Sequence, residues 1–162
     1  MNIGNHLAST LHQRVTKPSG FRKTGNTFSK DHADYSEHYN IQGSAWNDPA
    51  RPWTFYVNCA ISFPGVPNHS AGTGLWKFHA HTRIAGLVPG ASSQYAVTEA
   101  SLEEVVDEVA RHIHTCSGYF SRRWEVLRES YIKRDYAGGF PRDPERNNTP
   151  PAAPSNGDKP SN

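Results

Sequence analysis

The sequence predicts an α+β domain, in which an antiparallel sheet of about four to five strands is packed on one face by an N-terminal helix and one or two C-terminal helices. Three observations predict it. Segments that alternate apolar and polar residues cluster in the middle of the chain, and helical periodicity is confined to its two ends. Strands that follow one another without intervening helices favour antiparallel pairing, with the helices segregated to one side.

At the N-terminus, Ile3, Leu7, Leu11 and Val15 recur every four residues and form one apolar stripe of a helix that Lys17-Pro18-Ser19-Gly20 ends. In "GFRKTGNTFSK", Gly25-Asn26 separates Phe21 from Phe28 in the manner of a turn that requires positive φ, which predicts a hairpin. Between Tyr35 and Trp46, Tyr35, Tyr39 and Ile41 share one parity while His38, Asn40, Gln42 and Ser44 take the other. The clearest strand is "WTFYVNCAISF": Phe55, Val57, Cys59, Ile61 and Phe63 point one way, and Thr54, Tyr56, Asn58, Ala60 and Ser62 the other.

A further alternating stretch, "LWKFHAHTRIAG" from Leu75 to Gly86, places Trp76, Phe78, Ala80, Thr82 and Ile84 inward and Lys77, His79, His81 and Arg83 outward. Leu102, Val105, Val106, Val109 and Ile113 then stand at helical spacing, and Ser101 three residues before Glu104 predicts a capping box. Gly118 predicts a break or kink before a second apolar stripe of Phe120, Trp124, Leu127 and Tyr131.

The 162 residues suit one domain, expected over 1–136. From Gly138 onward there are six prolines and only Phe140 as a large apolar side chain, so 137–162 reads as a disordered tail. A formal net charge of +2, with no one-signed stripe, argues against nucleic acid as partner. Two cysteines, Cys59 and Cys116, are too few for a disulfide framework and fit neither a zinc ribbon nor a CxxC pair, so both read as buried thiols. The chain carries no signal-peptide pattern and no run of eighteen apolar residues, from which a cytoplasmic location and no membrane span are expected.

His79 and His81 are two residues apart, so on a strand both imidazoles emerge on one face. The same-face cations Lys77 and Arg83 would repel a dication, and Glu108, His112 and Cys116, four apart on a helix, read as ordinary helix surface. No metal and no cofactor is therefore expected. Lys77, His79, His81 and Arg83 suit instead an anion-receiving face, weighed against a merely solvated one. There is no GxSxG elbow, no P-loop and no GxGxxG, and Tyr56 with Tyr35 or Tyr39 falls short of a base-stacking platform.

The strings "GFRKTGNTFSK", "YNIQGS", "FYVNCAISFPG" and "HAHTRIAGL", in this order, resemble a bacterial family of unknown function, DUF4304, over about Leu7 to Tyr131. Its members look like a first helix, a glycine-asparagine hairpin, a strand ending in glutamine, a strand reading "F.VN.G", a strand with histidine and arginine, and a C-terminal helix. This chain departs from the pattern in having Ala60 where glycine is usual. The resemblance implies fold and extent and no reaction. The matching polar positions are Gln42, Asn58 and Arg83, which would meet on one side of the sheet if their strands are neighbours. Such a cluster would either bind a ligand or peptide strand or hydrogen-bond a covering loop such as Pro64 to Gly74.

Two functions follow. The first is a small non-enzymatic binding module for a protein partner or an anionic ligand, of the kind that neutralises a toxin; bacterial immunity proteins share this size and architecture. The alternative is an enzyme acting on an anionic substrate, with His79 or His81 as general base and Arg83 and Lys77 holding the anion.

Overall fold

In the computed structural model, which describes residues 2–69 and 77–146, the strand of clearest alternation, β4 (Trp53–Ser62), is the centre of the sheet. One edge pairs with β3 (Ser36–Gly43); the other pairs with β5 (Ala80–Arg83) toward its end and with β6 (Tyr95–Val97) at its start. Beyond β3 lie β2 (Thr27–Asp31) and β1 (Arg22–Thr24), and every pairing in this six-stranded sheet is antiparallel. The β1–β2 hairpin turns at Gly25, whose φ of +57° is open to glycine and strained for other residues.

The core face carries Phe28, Tyr39, Ile41, Phe55, Val57, Cys59 and Ile61, all buried. It is covered by α1 (Ile3–Leu11), which buries Leu7, Ala8 and Leu11, and by α2 (Leu102–Ile132), which buries Val106, Val109, Cys116, Phe120 and Leu127. A wide helical turn, His12–Thr16, prolongs α1, and Arg14 reaches across to Glu103 and Asp107 on α2. Parity also turns Glu37 toward this core, where it is fully buried: Oε1 accepts from His32 Nε2 at 2.7 Å and Ser117 Oγ at 2.9 Å, and Oε2 from the Tyr39 hydroxyl at 2.7 Å.

Four sequence expectations are corrected. Gly118 neither breaks nor ends α2, which runs for 31 residues; the cost of a glycine in a helix, about 1 kcal/mol, is outweighed by the burial of Ile113, Cys116 and Phe120 around it. Ser101 does not form the capping box, because its hydroxyl bonds to Thr98 across the turn before the helix. Tyr95–Val97, outside the segments whose alternation predicts strands, is a strand whose Tyr95 and Val97 are buried against the core.

The fourth is the extent of the tail. Tyr136–Ala137 (β7) pairs with Phe140–Pro141 (β8), and Phe140 is buried. Asp143 then receives Arg123 Nη2 at 2.7 Å, Arg123 Nε at 3.0 Å and the Tyr119 hydroxyl at 3.0 Å. One apolar anchor and one bidentate ion pair thus hold on α2 a segment whose composition looks unstructured. Residues 147–162 lie outside the described residues.

Candidate functional site

The face of the sheet opposite the helices carries the polar set of β3, β4 and β5. Register decides who meets whom: Asn58 stands opposite Asn40 on one side and Arg83 on the other, while Gln42 stands opposite Tyr56 and His81 opposite Ala60. Residues directly opposite in an antiparallel ladder share a face, so Gln42, Asn58 and Arg83 converge. Arg83 Nη1 donates to Asn58 Oδ1 at 2.8 Å and to Gln42 Oε1 at 3.2 Å. Asn58 Nδ2 in turn donates to Gln42 Oε1 at 3.0 Å and Asn40 Oδ1 at 3.3 Å.

Arg83 also lies over Tyr56, its Cζ 3.8 Å from the ring centroid, and the Tyr56 hydroxyl accepts from Gln94 Nε2 at 3.2 Å. Burial lowers the Arg83 guanidinium from its ordinary value, against an opposing pull from Tyr56. Among the described residues the hydrogen bonds of Arg83 all run through Nη1, so the Nε and Nη2 hydrogens are not engaged. That edge of a guanidinium is a fork that matches a carboxylate or phosphate. At the Tyr56 end of the face lies an open groove of about 490 Å³, whose walls include Tyr56, Gln94 and Trp46, and Trp46 is 92% exposed.

The anion-receiving row expected from Lys77, His79, His81 and Arg83 is not assembled as a single face. Strand β5 begins only at Ala80, and residues 77–79 form an irregular bend that exchanges the sides of Phe78 and His79. Phe78 lies on the outer face, stacked on His38 with centroids 3.8 Å apart, and Lys77 Nζ stands 5.0 Å above the Phe78 ring. His79 turns the other way and packs against Phe63 and Tyr131. Its Nδ1 accepts from the Phe63 amide at 3.2 Å, which leaves the proton on Nε2 to donate to the Val66 carbonyl at 2.7 Å. Both ring nitrogens of His79 are committed to holding the chain after β4. His81 and Arg83 are the members of the row that share the outer face, and burial lowers the imidazole of His81. Leu75 and Trp76 lie outside the described residues.

His38 is buried on this face beneath Phe78, and burial foremost pushes its pKa down to about 4, with Lys77 and Arg22 adding to the shift and Asp31 opposing it. Its Nδ1 bonds to Ser29 Oγ at 2.8 Å, and its Nε2 is buried with no hydrogen-bond partner among the described residues. The loop after β4, as far as His69, is tied to Tyr131 and His79, and among the described residues it makes no hydrogen bond to Gln42, Asn58 or Arg83. No group of three or more metal-ligating side chains forms among the described residues; Cys116 is fully buried and His112 bonds to the Tyr95 hydroxyl. No helix among these residues is long and apolar enough to cross a membrane.

Sequence parity puts Gln42, Asn58, His81 and Arg83 on the polar sides of their strands, and on one face if those strands are neighbours, which the pairing supplies. It did not single out Asn40, Gln94 or Trp46. Asn40 shares the polar parity of Gln42, but only pairing register shows that it meets Asn58; Gln94 is legible only through register, and Trp46 carries the signal of a lone large aromatic in a loop of small and polar residues.

No curated protein and no solved structure matches the chain. A family model does, over residues 13–130. That span runs from the turn after α1 to the last turn of α2 and takes in every strand of the six-stranded sheet, so the chain belongs to the family described as domain of unknown function DUF4304.

Proposed function

We propose that the chain is a non-enzymatic binding module that receives an acidic group of a protein partner on its outer sheet face, of the kind that neutralises a toxin or couples one protein to another in the cytoplasm. The observation that carries this reading is the held guanidinium of Arg83. Two amides and an aromatic ring fix it in place, and its Nε–Nη2 edge makes no hydrogen bond among the described residues. A pre-positioned Arg loses less entropy on meeting a carboxylate than a free one, and Arg, Tyr and Trp are the side chains that dominate binding energy at protein interfaces. The neighbours of Arg83 are amides and Tyr56, whose ring lies against the guanidinium and whose hydroxyl accepts from Gln94, and of the two histidines of the enzyme reading His79 has both nitrogens engaged. Two buried free thiols suit a reducing compartment.

The test is quantitative affinity capture with the wild type and with Arg83→Ala, followed by titration of each retained protein in purified form. A partner bound by the wild type and at least tenfold more weakly by Arg83→Ala, with the difference shrinking at high salt, supports the reading. Identical capture profiles would sink it, and a retained metabolite in place of a protein would transfer the face to the enzyme reading.

A further inference from the structure

A second cavity, of about 290 Å³, opens where β5 meets the end of α2, and the geometry points to it as a binding site for a small tetrahedral oxyanion of the phosphate class, separate from the outer-face cluster. Three of its wall residues carry cationic or protonatable groups: His69 from the chain after β4, Arg134 from just beyond α2 and His81 from β5, of which His81 already has a partner of its own. Phe78 and Tyr136 complete its aromatic sides, and among the described residues no carboxylate lines it. His79 is also in the wall, but its ring is spent on Phe63 and Val66. The volume is at the small end for ligand sites, room for a phosphate and a little more.

Arg134 supplies an independent observation. It is the only residue other than glycine with positive φ among the described residues, at 55°. Its amide bonds to the Tyr131 carbonyl and the next amide, of Asp135, to that of Ser130, so Arg134 occupies the left-handed position that closes a helix in a Schellman motif. Glycine is the usual occupant, because any side chain is strained there. The sequence instead places a guanidinium at this point, at the wall of a cavity with two further imidazoles, and among the described residues it makes no ion pair. Backbone strain held by the surrounding structure is a mark of function when the strained side chain faces a cavity with matching chemistry. Groups arriving from three separate elements suit an anion whose oxygens point in several directions better than a planar carboxylate.

The strain makes the site testable without confounding it with unfolding. Inorganic phosphate is titrated into the full chain by calorimetry, against chloride at equal ionic strength, for wild type, Arg134→Gly and His69→Gln. The expected result is saturable binding of one phosphate by the wild type and at least tenfold weaker binding by both variants. Arg134→Gly should at the same time melt higher than the wild type, since it relieves the left-handed strain. No preference for phosphate over chloride in the wild type, or equal affinity in Arg134→Gly, overturns the proposal. Loss of phosphate binding in Arg83→Ala together with its retention in Arg134→Gly would place the anion on the outer face and overturn it as well. Failure of these titrations leaves the outer-face reading intact, because that reading rests on a different arginine.

Discussion

Arg83 and Asn58 face each other across the β4–β5 ladder, and the 2.8 Å bond from the guanidinium to the amide oxygen joins an accessible cation to a side chain that is itself 4% exposed. The buried amide has its nitrogen satisfied by Gln42 and Asn40 and its oxygen by Arg83, so the cluster is both closed on itself and open at the far edge of the guanidinium. A face built this way is stable without a partner and still presents a directed charge.

Replacing Arg83 therefore has two separable effects. Arg83→Ala leaves the Asn58 oxygen without its donor and removes the cation–π contact, at a cost of about 1–2 kcal/mol of folding stability. Arg83→Lys keeps the charge but loses the planar fork and the pairing with both amides. It should cost less stability, about 1 kcal/mol or below, yet weaken partner binding nearly as much as alanine does. Urea denaturation and titration of the captured partner check the two effects independently; a lysine variant that binds like wild type would show that charge alone is read.

Glu37 is the acceptor for three donors inside the core. Glu37→Ala strands the buried Tyr39 hydroxyl together with Ser117 and His32, and about 3–5 kcal/mol should be lost. Glu37→Gln retains the shape and one acceptor and should cost roughly half as much. Equilibrium unfolding in urea measures both, and equal losses for the two variants would mean that volume, not hydrogen bonding, matters at this position.

Acid sensitivity should arise in part at His38. Its pKa falls from 6.5 to about 4 on folding, because burial under Phe78 disfavours the cation. Between those values the unfolded chain binds a proton that the native protein does not, so stability rises with pH through this window. The contribution is fully present above about pH 6.5 and is lost as pH falls toward 4, with an upper limit of about 3–4 kcal/mol. His38→Phe keeps an aromatic ring against Phe78 and removes the titration. Its stability at pH 7.5 relative to pH 4.5 should drop by less than that of the wild type, and an equal drop would assign the acid sensitivity elsewhere.

How far the sequence carried these conclusions depends on the range of the interactions involved. Period-two alternation is local, so the outward sides of Asn58 and Arg83 on their own strands, the inward set of β4 and the Gly25 hairpin were all readable, while the pairing that brings Asn58 and Arg83 together was not. The start of β5 was not, because what flips Phe78 and His79 is a stack on His38 and two bonds to the Phe63–Val66 segment, contacts between residues far apart in sequence. Parity pointed Glu37 inward, yet nothing local could show that Ser117, eighty residues on, would bond to it. The capping box failed for a similarly specific reason: Thr98 competes for the Ser101 hydroxyl.

The C-terminal hairpin is where composition misled most, and it sets a sharp test. Only Phe140 and Asp143 are buried anchors there beside Pro141, at 2% and 4% exposed, and between them they oppose a segment dense in proline, glycine and charge. Ending the chain after Ala137 removes both and leaves Arg123, 19% exposed, without its bidentate acceptor. The loss of one buried phenylalanine and one half-buried ion pair should cost about 3–5 kcal/mol. Asp143→Asn keeps Phe140 in place and weakens only the pair, which should cost about 1–2 kcal/mol. Ending the chain after Arg146 retains both anchors and should melt within a degree or two of the full chain. Thermal melts of the three variants decide the matter: if the form ending at Ala137 were as stable as the one ending at Arg146, Phe140 and Asp143 would rest on α2 without stabilising it.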